Sequence, residues 1–412
     1  MRVLFTVSAW PGHWYPMVPL GWAVQSAGHE ARVLCAPSQS AAVSAAGLVP
    51  VPVLDGLDMV LQSRLSHYRL AQSGRWPYPW LPPHPVTGEE LRDLAEFDFP
   101  AYRKAHREAA LAATARSFDA AVDVAASWRP DVVVHDRLSL EGLLVSRVLG
   151  VPAALHLWGP VGTAEEGGLR LMPGDPTGSF PRYGVGELSA DLVGHVIDPC
   201  PDALRPPIGA ADRLPVRHVP YHGGAPAAPL ASPAPGRPRV CVVWGTSLTR
   251  MVGPRSFAVP TVLSALSTVD VDVLVLVSRQ DADRLAVPDG VIVRAEYPLW
   301  QALQGCAAVV HHGGAGCTMT ALAAGVPQLA VTYAEEQAAN GERVAAAGAG
   351  RHVPGAVADV ATIRDAVAAV LDGPGYGEAA ARLRAQLESR PTPAELVERL
   401  AGLRAPLLPS RA

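Results

Sequence analysis

Apolar and polar positions follow a regular rhythm along this chain. Short apolar runs each give way to a loop and then to a segment with helical spacing. The spacing predicts a strand over 2–7, a loop over 8–15, a helix over 16–27, a strand over 31–35, then a helix and a strand over 49–53. Gly28 stands where a helix ends in the left-handed conformation. Such a βαβαβ start is of the Rossmann kind. Residues 55–100 break the alternation, and 76–85 are too rich in proline for a helix or a central strand. The rhythm resumes with an amphipathic helix over 100–127, a strand over 131–134, a helix over 139–149 and a strand over 153–157. Pro, Ala and Gly dominate 218–238, which reads as a linker. A second sheet then opens at 239–244, with strands over 271–277, 290–294 and 307–310 and helices over 335–347, 359–372, 376–390 and 393–403. The two halves restart one pattern, so the fold class is α/β with two Rossmann-like domains; no solenoid period is present.

Candidate chemistry collects in the loops after these strands, and in an open α/β sheet the carboxyl ends of the strands face the binding crevice. The richest loop is His311-His312-Gly313-Gly314-Ala315-Gly316-Cys317-Thr318, between the 307–310 run and a helical segment closed by Gly325. Strand, glycine loop and helix start together present unpaired backbone N–H groups to an anion. His312 adds a donor and Thr318 a hydroxyl. A tight turn in any α/β domain would look similar, but two further pieces follow in order: Gly325-Val326-Pro327-Gln328 and Glu336-Gln337-Ala338-Ala339-Asn340. Other strand ends carry Gly12-His13-x-x-Pro16, His135-Asp136-Arg137, Gly245-Thr246-Ser247 and Glu296-Tyr297-Pro298. Alone, a loop histidine is usually a packing or solvated residue, and an aspartate at a strand end is often a helix cap.

This ordered set resembles the nucleotide-sugar signature of GT-B glycosyltransferases, above all the actinobacterial enzymes that decorate polyketides and other antibiotics. The resemblance runs essentially end to end. It implies an acceptor-binding domain over 1–217, the linker over 218–238, a nucleotide-sugar domain over 239–392, and a terminal stretch, 393–412, whose helix returns to the first domain. His13 matches the family's catalytic base and Asp136 the acid that orients it. Gly245, Thr246 and Ser247 match a second diphosphate contact, and Tyr297 the loop that holds the base, a filler aromatic being the alternative. His312, Gly313, Gly314, Ala315, Gly316, Cys317 and Thr318 match the main diphosphate cradle, and Glu336 with Gln337 the contacts to sugar hydroxyls. Cys317 departs from the family's usual Thr, which makes Thr318 the candidate replacement; Glu336 departs from a frequent Asp. Trp10, Trp14 and Trp158 are placed on the acceptor side, completed by 160–200. Trp76, Tyr78 and Trp80, held by prolines, would make a wall for a flat apolar acceptor, or else a packed surface loop.

The implied reaction is inverting and metal-independent: a deoxysugar passes from a dTDP- or UDP-sugar to a polyketide-type acceptor, with cleft closure about the linker. Composition agrees without deciding. The chain has 412 residues, 49% hydrophobic and 17% charged, and a net charge of −4, so neither nucleic acid nor an anionic membrane is expected as partner. Lys104 is the single lysine, a bias that fits a GC-rich genome. Five cysteines without a CxxC read as reduced thiols, and no signal-peptide or membrane-spanning run is seen, so a cytoplasmic setting is expected. No cofactor or metal is expected. Asp270-Val271-Asp272 opens a strand rather than closing one, and the adjacent His311 and His312 point apart without a third ligand. A nicotinamide oxidoreductase is disfavoured because the loop after the first strand lacks GxGxxG. A non-catalytic nucleotide-sugar-binding auxiliary protein and a sugar-nucleotide epimerase stay open as alternatives. A homodimer and an activator protein stay open as partners.

Overall fold

The computed structural model describes residues 1–166, 169, 172–224, 228–231 and 236–403, Thr246 by its backbone alone. The first sheet holds β1 (Arg2–Thr6), β2 (Glu30–Leu34), β3 (Pro50–Val51), β4 (Val132–His135), β5 (Ala153–His156), β6 (His195–Asp198) and β7 (Asp212–Pro215). The second holds β8 (Arg239–Val243), β9 (Asp272–Val277), β10 (Ile292–Ala295), β11 (Ala308–His311), β12 (Gln328–Thr332) and β13 (Gly350–Pro354). Their orders are β3-β2-β1-β4-β5-β6-β7 and β10-β9-β8-β11-β12-β13. All pairs are parallel. Helices cover both faces of such sheets, which is why β4 and β9 read as nearly unbroken apolar runs.

Each sheet reverses its winding between its first and fourth strands, and the crevice of a doubly wound sheet lies at that point. Register sets the residues that meet there. Thr6 pairs with His135, so the Ser8 and Asp136 loops leave the sheet side by side. Val243 pairs with His311, which does the same for the Gly245 and His312 loops.

Two local readings differ from the expected helices. The segment after β1 is not an extended loop: a helical turn Pro11–Trp14 and a 3₁₀ turn precede helix Val18–Ser26, Pro11 fitting the first helical position. Within 55–100 lies helix Met59–Gln72, capped by Asp58 accepting from the amides of Val60 and Leu61, both at 3.0 Å. Its polar face is broad, so the apolar spacing that betrays a helix is weak there.

The halves are joined by packing as well as by chain. Leu396, Val397 and Leu400 of helix Pro393–Ala401 are buried in one cluster with Val18, Leu20 and Val24 of the first domain. Cys200 and Leu204 share a core with Met319, Leu322, Leu383 and Leu387. Polar ties run alongside, with Arg343 on Glu165 at 2.6 Å and Arg390 on Asp202 at 2.8 Å. Asp270 and Asp272 face Arg237 at 2.8 and 3.4 Å, an ion-pair arrangement at the start of β9. Among the described residues, no helix is long and apolar enough to cross a membrane.

Candidate active site

His13 lies inside the Pro11–Trp14 turn, at the carboxyl end of β1. Its ring stacks on Trp158 with centroids 3.9 Å apart and planes 14° from parallel. Nδ1 is 3.0 Å from Ser8 Oγ. Ser8 in turn gives its amide to Asp136 Oδ2 at 2.7 Å, and its hydroxyl also favours the charged Asp136. Asp136 Oδ1 accepts from the amides of Leu138 and Ser139 at 2.8 and 2.9 Å. Asp136 thus reaches His13 through Ser8, in a line from imidazole to hydroxyl to carboxylate. Asp136 is also the loop-tying residue that its strand-end position suggests. A Ser8 hydroxyl directed at Asp136 accepts from His13 Nδ1–H, which leaves Nε2 as the basic nitrogen.

Burial, with the Arg137 guanidinium second, pushes the His13 imidazole down to about 3. Burial likewise raises Asp136, against the Ser8, Leu138 and Ser139 hydrogen bonds that lower it. Arg137 is itself enclosed: it donates to the carbonyls of Gly162 and Val161, its guanidinium carbon 4.4 Å from the Trp158 ring centroid.

The donor side is assembled on the second sheet. Gly314 caps helix Ala315–Ala324, whose first turn opens toward the crevice with Gly316 exposed. Gly313 takes φ +80°, and a side chain there would run into Thr332 at 2.7 Å. The loop is held from behind by the rest of the motif. Gly313 donates its amide to His311 Nδ1 at 2.9 Å, and His311 Nε2 meets Gln328 Oε1 at 2.9 Å. Asn340 donates to the Gly313 carbonyl at 3.0 Å. The GVPQ glutamine and the terminal asparagine of the motif therefore brace the cradle rather than line it.

His312 is 5% exposed, and its Nδ1 has no hydrogen-bond partner. Nε2 lies between two glycines: a Cβ on Gly314 would sit 2.6 Å from it, and one on Gly245 at 3.7 Å. Gly245 caps the second helix start, Thr246–Val252. Burial, then His311, pushes His312 down to about 3. Thr318 does not replace the hydroxyl missing at Cys317; it is fully buried with Oγ1 unpartnered, one turn inside the helix. Cys317 is half-buried, its thiol pushed up to about 12 by burial. Ser247 is partly exposed beside Gly245, and the Thr246 side chain lies outside the described residues. Tyr297 is half-buried and gives its hydroxyl to the Ala228 carbonyl of the linker at 2.8 Å. Gln337 turns its Oε1 back to the Tyr333 amide at 3.1 Å.

The two sides meet at one side chain. Trp158, stacked on His13, donates its indole N–H to Glu336 Oε1 of the second domain. Next to it Gly159 approaches the donor helix so closely that a Cβ there would lie 2.5 Å from Ala315 Cβ. Trp158 thus bridges His13 of the first domain and Glu336 of the second.

The other acceptor aromatics divide. Trp10 is half-buried, 6.5 Å from His13 between ring centroids. Trp14 is a core residue instead, 1% exposed with Nε1 bonded to Gln39 at 3.1 Å. Trp76, Tyr78 and Trp80 pack against the core of the second domain, Tyr78 5.8 Å from Tyr333. That is the packed-loop alternative, with the aromatics spent on joining the domains. An acceptor-sized cavity of 360 Å³ opens elsewhere, beside Ser8 and Ala9 at the end of β1. Leu54, Leu57, Met59, Phe118, Leu140 and Pro176 give it apolar walls, and Glu141 is set among them. It is built from the 54–58 loop, the start of helix Met59–Gln72, helix Phe99–Trp128 and the 138–141 and 173–176 segments. No local motif marks it; the one available signal was that 55–100 is long and irregular.

Comparison with known proteins places the chain in a family. Residues 103–245 match the N-terminal and 260–403 the C-terminal domain of the erythromycin biosynthesis protein CIII-like family. The chain is 32% identical to a 10-deoxymethynolide desosaminyltransferase of Streptomyces venezuelae, covering 98% of this chain and 97% of that one. It is 34% identical to an L-demethylnoviosyl transferase of Streptomyces niveus over the whole of both chains (100% and 100%). Among solved structures, the spinosyn rhamnosyltransferase SpnG complexed with thymidine diphosphate matches with a TM-score of 0.71 and 26% identity, over 97% of this chain and 100% of that one.

Proposed function

This chain belongs to the erythromycin biosynthesis protein CIII-like family of glycosyltransferases, and from that premise we propose an inverting, metal-independent transfer of a deoxysugar from a dTDP-sugar to a hydroxyl of a polyketide-type aglycone. The observation that carries this reading is the junction at Trp158. One indole touches His13 with its face and Glu336 with its N–H. A sugar at Glu336 and an acceptor at His13 are therefore neighbours, as one displacement requires.

An alcohol is a weak nucleophile at neutral pH and needs its proton removed as it attacks. His13 Nε2 takes that proton while the acceptor oxygen bonds to the anomeric carbon. Asp136, acting through Ser8, fixes the tautomer and favours the imidazolium that forms, a division of labour like that of a Ser-His-Asp triad. The bond from the anomeric carbon to the diphosphate breaks with its electron pair on the leaving oxygen. That growing charge meets the N-terminus of helix Ala315–Ala324 and His312. His312 stays neutral, and its Nε2–H, set between Gly245 and Gly314, donates to the departing oxygens. Attack opposite the leaving group gives inversion. The Thr-to-Cys departure at 317 removes one hydroxyl from the cradle, leaving more of the grip to backbone N–H groups and His312.

Mass spectrometry of turnover with dTDP- and UDP-sugars against a panel of macrocyclic and aromatic aglycones tests the reading. The expected product is an aglycone heavier by one sugar, with anomeric configuration opposite to the donor. Donor conversion without acceptor would instead indicate the epimerase, and donor binding without any turnover the auxiliary protein.

A further inference from the structure

Among the described residues, three carboxylates line the cavity beside Ser8, those of Asp55, Asp58 and Glu141, and no Arg, Lys or His does. Two of the three are already engaged. Asp55 faces Arg116 at 3.3 Å, and Asp58 caps helix Met59–Gln72. Glu141 has hydroxyls for company: Ser117 donates to Oε1 at 2.8 Å and Ser139 to Oε2 at 3.2 Å. Ser117 also accepts from the Asp55 amide at 3.2 Å, so the hydroxyl is fully used in holding the cavity rim. Ser139 gives its amide to Asp136 at 2.9 Å, which places the two carboxylates on either side of a single residue. Glu141 is therefore a rigidly held acceptor group in a mostly apolar wall, with lone pairs to spare and a like charge for a neighbour. Burial, and after it Asp136, holds its carboxyl above the usual range, a cost that a donor from the ligand would relieve.

We infer that Glu141 is a specificity-determining residue that selects acceptors carrying a hydroxyl or protonated amine on an apolar frame and rejects acceptors carrying a carboxylate. The inference rests on reading this cavity as the acceptor site. The selection is electrostatic: a donor from the ligand makes a charge-assisted hydrogen bond, whereas an anion would be set against Glu141 with no cation among the described lining residues. Glu141 takes no part in the proton transfer, because Ser8 and Asp136 already serve His13.

The test uses the full chain and three naphthalene probes, measured by equilibrium dialysis at about pH 8, where an ordinary carboxylate is ionised and an alkylamine protonated. The probes are 2-(2-naphthyl)ethanol, 2-(2-naphthyl)ethylamine and 2-naphthaleneacetate. The alcohol and the amine should bind, and the acetate should bind at least about tenfold more weakly than the alcohol. In Glu141→Gln, which keeps the shape but not the charge, and in which one serine hydroxyl must turn to accept from the amide N–H, that ratio should shrink to below about threefold, with the amine losing most. An acetate that binds the parent protein as tightly as the alcohol overturns the inference, as does an unchanged ratio in the variant or no binding by any probe. The wild-type comparison stands even if the variant fails to fold. Thymidine diphosphate affinity, measured in parallel, addresses the donor side separately: its absence would count against the glycosyltransferase mechanism while leaving the acceptor result intact.

Discussion

His13 and His312 belong to different sheets yet share one electrostatic situation. His312 is buried and His13 half-buried, and desolvation pushes each imidazole down to about 3. For a base this has a definite sign. A lowered pKa keeps the imidazole neutral as pH falls, so kcat/KM, which reports the free enzyme, should stay flat from about pH 8 to about 5. The acid limb should appear only near the lowered value, not near the ordinary histidine pKa of about 6.5. Such a weak base must strengthen when the proton moves, and the arriving diphosphate provides the needed negative charge. The acid limb of kcat, which reports the ternary complex, should therefore lie at higher pH than that of kcat/KM. Parallel pH profiles of both parameters check this; a kcat/KM limb centred on pH 6–7 would show that burial does not govern His13.

At the scale of elements, the donor cradle is a strand, a glycine loop and a helix start braced by Gln328 and Asn340. Gly314 has φ −62°, a conformation open to alanine, but an added Cβ would lie 2.6 Å from His312 Nε2. Gly314→Ala should therefore fold normally by thermal melting and displace His312, lowering kcat/KM by about 10²-fold or more, the scale of a lost oxyanion donor. Thymidine diphosphate affinity, by calorimetry, should fall with it. This cradle was legible in the sequence because its parts are local: the apolar run, the glycines and the helix closed by Gly325 follow one another along the chain. The cavity beside Ser8 was not, since the 54–58 loop, the start of helix Met59–Gln72, the middle of a long helix and 173–176 meet only in the fold. Trp76, Tyr78 and Trp80 show the same limit from the other side. Their aromatic and proline content marks a stiff apolar surface, but nothing in that stretch says which domain it faces. Trp14 is a core residue for a reason of the same kind, its partner Gln39 arriving from a separate segment.

For the whole molecule, what matters is how the two sheets meet. Gly159 passes the donor helix with no room for a methyl group, Ala315 Cβ being 2.5 Å from the position a Cβ would take. Gly159→Ala should wedge the domains apart at Ala315, the first residue of helix Ala315–Ala324, while leaving the backbone N–H groups of the cradle in place. The expected signature is a fall in kcat of about tenfold or more with nearly unchanged thymidine diphosphate affinity, together with a larger radius of gyration by X-ray scattering in the nucleotide-bound form. A variant with parent-like kcat would mean that this close approach is not needed for turnover. The central claim, that an imidazole from the first domain deprotonates an acceptor aimed at a sugar held by the second, is tested most directly by replacing His13. Turnover of an alcohol acceptor by His13→Ala should fall by about 10²–10⁴-fold with thymidine diphosphate binding intact; full turnover by that variant would contradict the account.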